Sequence, residues 1–459
     1  MSPTQLKIAA LAAAAALLPA AHGADLSEVY QRALRNDPEL REAEAIRLAV
    51  REARPQALSA LLPQLNANGS YVHDETTGTF LYVAPSGLAS ATALTVSDVP
   101  QWSLQLRQTL FRWDQVANLR KAGVQVAQAE VDFRAAQQSV ILRTATAYFN
   151  VLAARDTLDA AEASREAIAH QLEQAEKRFE VGLIAITDVE EAKAANDQAI
   201  ATVIAAKRTL ASNREQLREL TGDPFDALAR PGDDMPLLTP EPASEDQWVR
   251  AALDQNLALS SARLGADIAR QNVAAARAGH YPVVDLVAKK SGLNTNATES
   301  VFGIKSPADS SSYDKQIGVQ VTLPLYAGGA NSSRTREAVY RHRAAREHLE
   351  RTARETERQT RDAYLGVISE IARVRALQQA LASTRTALAA TEAGYEVGTR
   401  TAVDVLLARQ RLFDAQTNYA RSRYDYLINV LTLEQASGML DEARLTRVNG
   451  WLGQAVSVR

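Results

Sequence analysis

The sequence predicts a mainly α-helical chain with a smaller, membrane-type β portion, laid out as two tandem copies of one unit. Three observations carry this. An internal duplication keeps register along the chain, two helical runs are longer than any globular core can bury, and four segments read as strands, two with regular apolar and polar alternation and their two partners with a less regular one.

Laid over itself at an offset of 219, the chain puts Leu34, Leu40, Arg51 and Pro63 on Leu253, Leu259, Arg270 and Pro282. At an offset of 216, Ala147-Tyr148 falls on Ala363-Tyr364, Glu180-Val181-Gly182 on Glu396-Val397-Gly398, Asp188-Val189 on Asp404-Val405, and Gly222 on Gly438. Chance similarity does not hold register over roughly two hundred positions. The copies are expected over residues 24–222 and 245–438. Between them, residues 223–244 carry Pro224, Pro231, Pro236, Pro240 and Pro242 and form a linker. With the tail at 439–459, this linker is expected to wrap the outside of the helical part at mid-height.

Each copy holds a long helical hairpin. Between Phe111 and Gly222 there is no proline, glycine occurs only at Gly123 and Gly182, and alanine, glutamine, glutamate and arginine dominate. An unbroken helix from Asp114 to Glu180 would be about 100 Å long. A second such run spans Asn331 to Ala393. Helices of that length must pack side by side as coiled-coil neighbours, and their many alanines allow close approach while giving a thin core. Glycine followed by threonine or aspartate marks the reversals, near residues 182–187 and 398–403.

The strands come in pairs, about 64–112 and 283–326. Trp102, Leu104, Leu106 and Leu110 alternate with Ser103, Gln105, Arg107 and Thr109; Ile317, Val319, Val321, Leu323 and Leu325 alternate with Gln316, Gly318, Gln320 and Thr322. One face therefore favours apolar surroundings and the other water. Their partners run from Leu65 to about Tyr82 and from Val283 to about Leu293, with polar loops expected at 83–99 and 294–312. Pro63 and Pro282 mark equivalent helix-to-strand joins. Tyr71, Tyr82, Trp102, Phe111, Trp113, Tyr281 and Tyr326 near the strand ends suit interfacial girdles. Alternation alone does not separate lipid from a protein core, so a soluble sandwich competes. If the strands do span a bilayer, four cannot close a barrel, which makes oligomerisation obligatory: two chains give eight strands with a filled interior, three give twelve with a lumen.

Residues 1–23 look like a secretory signal peptide, with Lys7, an apolar run from Ile8 to Leu18, the Pro19 break, and Ala21 and Gly23 at a cleavage point. No apolar run is long enough for a spanning helix, so a membrane protein made from this chain must use strands.

The chain has 459 residues and a net charge of −3, without a basic block, so nucleic acid is not expected as a partner. With 0 cysteines it excludes disulfides, thiolate catalysis and a lipid-modified N-terminal cysteine. The 6 histidines are scattered, and no phosphate loop or nucleophile elbow occurs. Gly328-Gly329 follows a strand but lacks the rest of a nucleotide fingerprint. No catalytic residue, cofactor or metal is therefore expected, and the chain is not expected to be an enzyme.

Several motifs together resemble the TolC family of trimeric outer-membrane export ducts: Asn36-Asp37-Pro38-Glu39-Leu40, Leu62-Pro63-Gln64-Leu65, Thr144 to Leu152, Val181 to Val189, Val397 to Thr401 and Tyr426-Leu427-Ile428-Asn429. The resemblance covers Leu26 to about Gly438. It implies a homotrimer whose twelve-stranded barrel in outer-membrane lipid continues into a twelve-helix periplasmic α-barrel. It also implies passive exit for proteins or small molecules, in type I secretion or multidrug efflux. A periplasmic adaptor (membrane fusion protein) and an inner-membrane ABC, RND or MFS transporter would deliver the cargo.

By position, the resemblance makes Tyr395 and Arg400 latch residues that bond to Thr187 and Asp188. Asp404 would form an axial ring of carboxylates whose mutual repulsion raises their proton affinity. One turn on, Leu407 stands where the resemblance would place a second axial aspartate, so a double acidic constriction is not expected: either divalent-cation block is weaker or the seal is partly hydrophobic. The structural alternative is that Tyr395 and Phe179 pack the turns while Asp188 and Asp404 serve as helix caps or first-turn acids. The competing function is that of a soluble periplasmic coiled-coil adaptor.

Overall fold

In the computed structural model the described residues are 23–232 and 234–458; apart from Gly23, the expected signal peptide lies outside them. The chain divides into two units, one comprising residues up to Ile46, Glu130–Ser261 and Glu350–Arg459, the other Arg47–Ala129 and Ala262–Leu349. In order, the first copy contains α1 (Leu26–Asn36), α2 (Pro38–Arg51), α3 (Ala53–Ser59), β1 (Gln64–Ala84), β2 (Gly87–Phe111), α4 (Trp113–Glu180) and α5 (Ile186–Thr221). After β3 (Ala227–Pro231), the second contains α6 (Glu245–Gln255), α7 (Leu257–Arg277), β4 (Val283–Val301), β5 (Ile304–Pro307), β6 (Ser310–Thr322), α8 (Ala330–Glu396) and α9 (Ala402–Ala436). α10 (Glu442–Asn449) and β7 (Leu452–Ser457) close the chain.

The duplication appears in the hydrogen bonds. At the α4–α5 turn Gly182 N donates to Phe179 O at 2.8 Å and Leu183 N to Arg178 O at 2.9 Å. At the α8–α9 turn Gly398 N donates to Tyr395 O at 3.1 Å and Thr399 N to Gly394 O at 2.8 Å, the same bonds moved by 216 positions. Gly182 and Gly398 have φ of 76° and 78°, a left-handed conformation that side chains resist. The helix ends repeat as well: Asn36 Nδ2 donates to Thr221 O at 2.6 Å, and Asn256 Nδ2 to Ala436 O at 2.9 Å.

Two of the sequence motifs supply the core of the helical unit. Tyr148, Phe149 and Leu152 from α4 and Tyr426, Leu427 and Leu431 from α9 are fully buried. The Tyr148 and Phe149 rings meet edge to face at 5.5 Å. The Tyr148 hydroxyl donates to Ala229 O at 2.5 Å and lies 3.1 Å from Ala24 O, tying α4 to β3. Burial pushes its acidity far below that of an ordinary phenol. The motif around Asn36 ends in an ion pair: Arg143 Nη2 lies 2.6 Å from Asp37, which is 2% exposed, and Nη1 lies 2.8 Å from Glu39. The linker is more than a connection, because its β3 pairs antiparallel with β7 of the tail.

In the other unit β1, β2, β4 and β6 form an antiparallel wall, with β5 and β6 pairing successive stretches of β4. The loops expected at 83–99 and 294–312 are largely strand, a correction to the sequence reading. β1 pairs β2 in unbroken register from Gln64↔Arg107 to Ala84↔Gly87 across a two-residue turn. The ladder is made by backbone groups whatever the side chains, and serine and threonine are tolerated on either face, so strand there needs no alternation of apolar residues. The second hairpin turns at Phe302 and Gly303, with φ of 52° and 76°.

Candidate functional site: a two-faced sheet and a hairpin tip

The register sorts the wall into two faces. Leu65, Leu106, Ala288 and Ile317 form one cross-strand row, and Gly69, Trp102, Gly292 and Tyr313 another on the same side. On the opposite side Asn66, Gln105, Lys289 and Gln316 are in line. The apolar face is uncovered: Leu65, Trp102, Leu104, Leu106, Ile317, Val319 and Val321 are all exposed. A soluble sandwich would bury that face under a second layer, and among the described residues no such layer lies on it.

From Trp102 to Phe111 is about 30 Å at roughly 3.3 Å per residue, the thickness of a hydrocarbon core. Trp102 fits against Gly292, where a Cβ would lie 2.5 Å from the indole nitrogen. Lys290 holds its ammonium 5.9 Å above the same ring, as interfacial lysines do. On the polar face Arg107 pairs with Asp285, its Nε 3.0 Å from Oδ2, and Thr109 donates to Oδ1 at 3.0 Å. This pair spans two strands far apart in sequence, and alternation gave no signal of it. No helix among the described residues is long and apolar enough to cross a membrane.

The hairpin tip belongs to the helical unit. Thr187 is exposed and Asp188 half-buried in the first turn of α5; Tyr395 is half-buried in the last turn of α8, and Arg400 is exposed. Within this chain neither Tyr395 nor Arg400 bonds to Thr187 or Asp188. The Tyr395 hydroxyl oxygen is buried without a hydrogen-bond partner, while Arg178 stacks its guanidinium 4.8 Å from the Tyr395 ring centroid. Gly394 makes room for the Arg400 stem, since a Cβ there would lie 2.8 Å from Arg400 Cγ. Sequence reasoning singled out neither Arg178 nor Gly394 for these roles.

The two equivalent acids differ. Asp404 closes a capping box with Thr401: Thr401 N donates to Oδ2 at 2.9 Å, and Asp404 N donates to Thr401 Oγ1 at 3.2 Å. The Thr-x-x-Asp pattern was the signal for this arrangement. Those bonds, led by the Thr401 backbone and aided by Arg400, hold the Asp404 carboxyl below the usual range. The pull opposes the rise expected from repulsion between axial copies. Ala185, three residues before Asp188, supplies no side-chain cap, and the Asp188 carboxylate accepts no hydrogen bond among the described residues. Leu407, one turn beyond Asp404, is exposed and lines a groove of about 320 Å³ between α9 and the first hairpin, together with Val403, Leu406, Phe413 and Ile168.

Comparison with known proteins agrees with this geometry. The outer membrane efflux protein family profile matches residues 29–223 and 248–439, one stretch in each copy. The chain is 37% identical over 441 residues to outer membrane protein TolC of Vibrio cholerae serotype O1, covering 96% of this chain and 97% of the relative. It is 30% identical over 425 residues to the alkaline protease secretion protein AprF of Pseudomonas aeruginosa, covering 92% and 86%. Its fold is similar to that of the Campylobacter jejuni CmeC outer membrane channel, with a TM-score of 0.71 at 19% identity over 93% of this chain and 90% of the other. It is also similar to VceC of Vibrio cholerae, with a TM-score of 0.70 at 22% identity over 90% and 96%. The soluble adaptor reading finds no support among these relatives. A two-faced sheet, a repeated long hairpin and a family match to both repeats lead to one conclusion: the chain belongs to the outer membrane efflux protein family.

Proposed function

We propose that three copies of this chain assemble into a duct, each giving four lengths of strand to a twelve-stranded barrel and four long helices to a twelve-helix tunnel. The observation that carries this is the uncovered two-faced wall with unpaired edges at β1 and β6. Edge strands seek partners, and closure by copies removes the edges while turning Gln105, Lys289 and Gln316 toward a wet lumen. Cargo crosses without chemistry, and the energy comes from an inner-membrane ABC, RND or MFS transporter acting through a periplasmic adaptor. Relatives named for protease secretion favour protein cargo alongside small molecules. Exposed Val181, Leu183 and Val397 at the two turns suit a docking partner.

In this duct Tyr395 and Arg400 latch onto Thr187 and Asp188 in the closed state, and Asp404 with Leu407 lines the constriction. The partnerless Tyr395 hydroxyl and the uncapped Asp188 carboxylate favour that pairing. An exposed link contributes up to about 1 kcal/mol, and three copies act on one aperture, so one link per copy gives the closed state up to about 3 kcal/mol, at most roughly 150-fold. Planar-bilayer recordings test this. Tyr395→Phe with Arg400→Ser is expected to raise single-channel conductance, and unchanged conductance rejects the latch. Absence of a heat-modifiable oligomer from outer-membrane fractions rejects the duct itself.

A further inference from the structure

A cavity of about 690 Å³ lies between the linker, α9 and α10, a size within the roughly 300–1,000 Å³ of small-molecule sites. Its walls are mostly carbon, from Trp248, Val430, Val448 and Trp451 among others. Two of its aromatic walls, Trp248 and Tyr426, already have partners for their polar atoms. Trp248 Nε1 donates to Pro242 O at 2.8 Å, and the Tyr426 hydroxyl accepts from Leu238 N at 2.9 Å and lies 3.1 Å from Leu238 O. These bonds staple the linker in place as one wall and leave ring surfaces toward the interior.

Charge is concentrated at one end. Glu434, buried on α9, accepts from Arg444 Nη1 at 3.0 Å, and Arg447 Nη1 stands 3.9 Å from the same oxygen. That distance is too long for a hydrogen bond, and the Arg447 side chain is 58% exposed. Glu241, on the linker side of the cavity, forms no ion pair with either arginine among the described residues. One buried carboxylate thus meets two guanidiniums, and the donors of Arg447 stay free beside an apolar chamber.

We infer that this cavity binds a single-chain anionic amphiphile, its carboxylate taken by Arg447 with Arg444 and its alkyl chain lying between Trp451, Trp248, Val430 and Val448. A guanidinium fork matches a carboxylate, and the carbon walls reward the chain. The alkyl chain alone would not select a head group; Arg447 does.

The test uses the full chain in phosphatidylcholine nanodiscs, with Trp102→Phe and Trp113→Phe leaving Trp248 and Trp451 as the 2 remaining of 4 tryptophans. Laurate, dodecanol and dodecyltrimethylammonium are titrated below their aggregation limits, with empty discs correcting for partition into lipid. Laurate is expected to give a saturable fluorescence change at least tenfold tighter than the other two. Arg447→Gln should weaken laurate tenfold or more, Val430→Phe should weaken it by narrowing the path of the alkyl chain, and Glu241→Gln should tighten it. Equal responses to the three probes, or laurate binding unchanged by Arg447→Gln or Val430→Phe, overturn the inference.

Discussion

Replacing Arg143 by methionine isolates one carboxylate in the helical core. Asp37 is 2% exposed and receives Arg143 Nη2 at 2.6 Å, while its other oxygen accepts from Glu39 N at 3.3 Å. Breaking a buried ion pair from one side costs about 3–5 kcal/mol, because the remaining charge stays desolvated. Arg143 is itself 32% exposed, so water reaches the vacated site and the expected loss falls to about 2–3 kcal/mol. Adding Asp37→Asn removes the stranded charge, and about 1 kcal/mol of lost hydrogen bonding should remain. Guanidinium unfolding read by helical circular dichroism measures both variants. A single variant within about 0.5 kcal/mol of the parent, or a double variant no better than the single, would refute the claim that an orphaned carboxylate causes the damage.

Other outcomes follow from the same geometry. Gly292→Leu drives a side chain into Trp102 and should cost about 1–3 kcal/mol by overpacking, seen as less heat-modifiable oligomer in outer-membrane fractions; Gly318→Ala, with nothing within 4 Å, should behave as the parent. Burial raises the carboxyls of Glu434 and Asp156 above the ordinary range, outweighing Arg444 and the Tyr424 hydrogen bond respectively. A folded state that binds the proton more tightly has this contribution in full below the unfolded pKa and loses it as pH rises through the folded one. Stability should therefore decline over that window by at most about 1.4 kcal/mol per pH unit per group, and Glu434→Gln with Asp156→Asn should flatten the thermal-melting profile. Leu407→Asp adds an acid one turn from Asp404 and should lower the divalent-cation concentration for half-block of conductance about tenfold; an unchanged block removes Leu407 from the constriction.

The helical hairpins and the tip turns were legible because their signals are local. Gly182 and Gly398 need a left-handed backbone, proline-free runs need only propensity, and Thr401-x-x-Asp404 contains its own cap. The strand extensions through 83–99 were missed because serine and threonine pair without a one-sided apolar pattern, so period two vanishes where neither face is greasy. At the tip, the latch residues were suggested only by resemblance to a known family, whereas the stacking of Arg178 on Tyr395 depends on the separation of two turns that no local pattern records.

By itself the sequence determined the duplication, the long helices with their turns, and the two-faced chemistry of the regularly alternating strands, because each follows from the periodicity or spacing of neighbouring residues. Only the tertiary structure decided which distant groups meet: Arg143 with Asp37, Arg107 with Asp285, Trp102 with Gly292, and the linker strand with the tail. Each of those pairs brings together residues about a hundred or more positions apart. Their contact is set by helix packing and strand register, quantities that exist only once the chain has closed on itself.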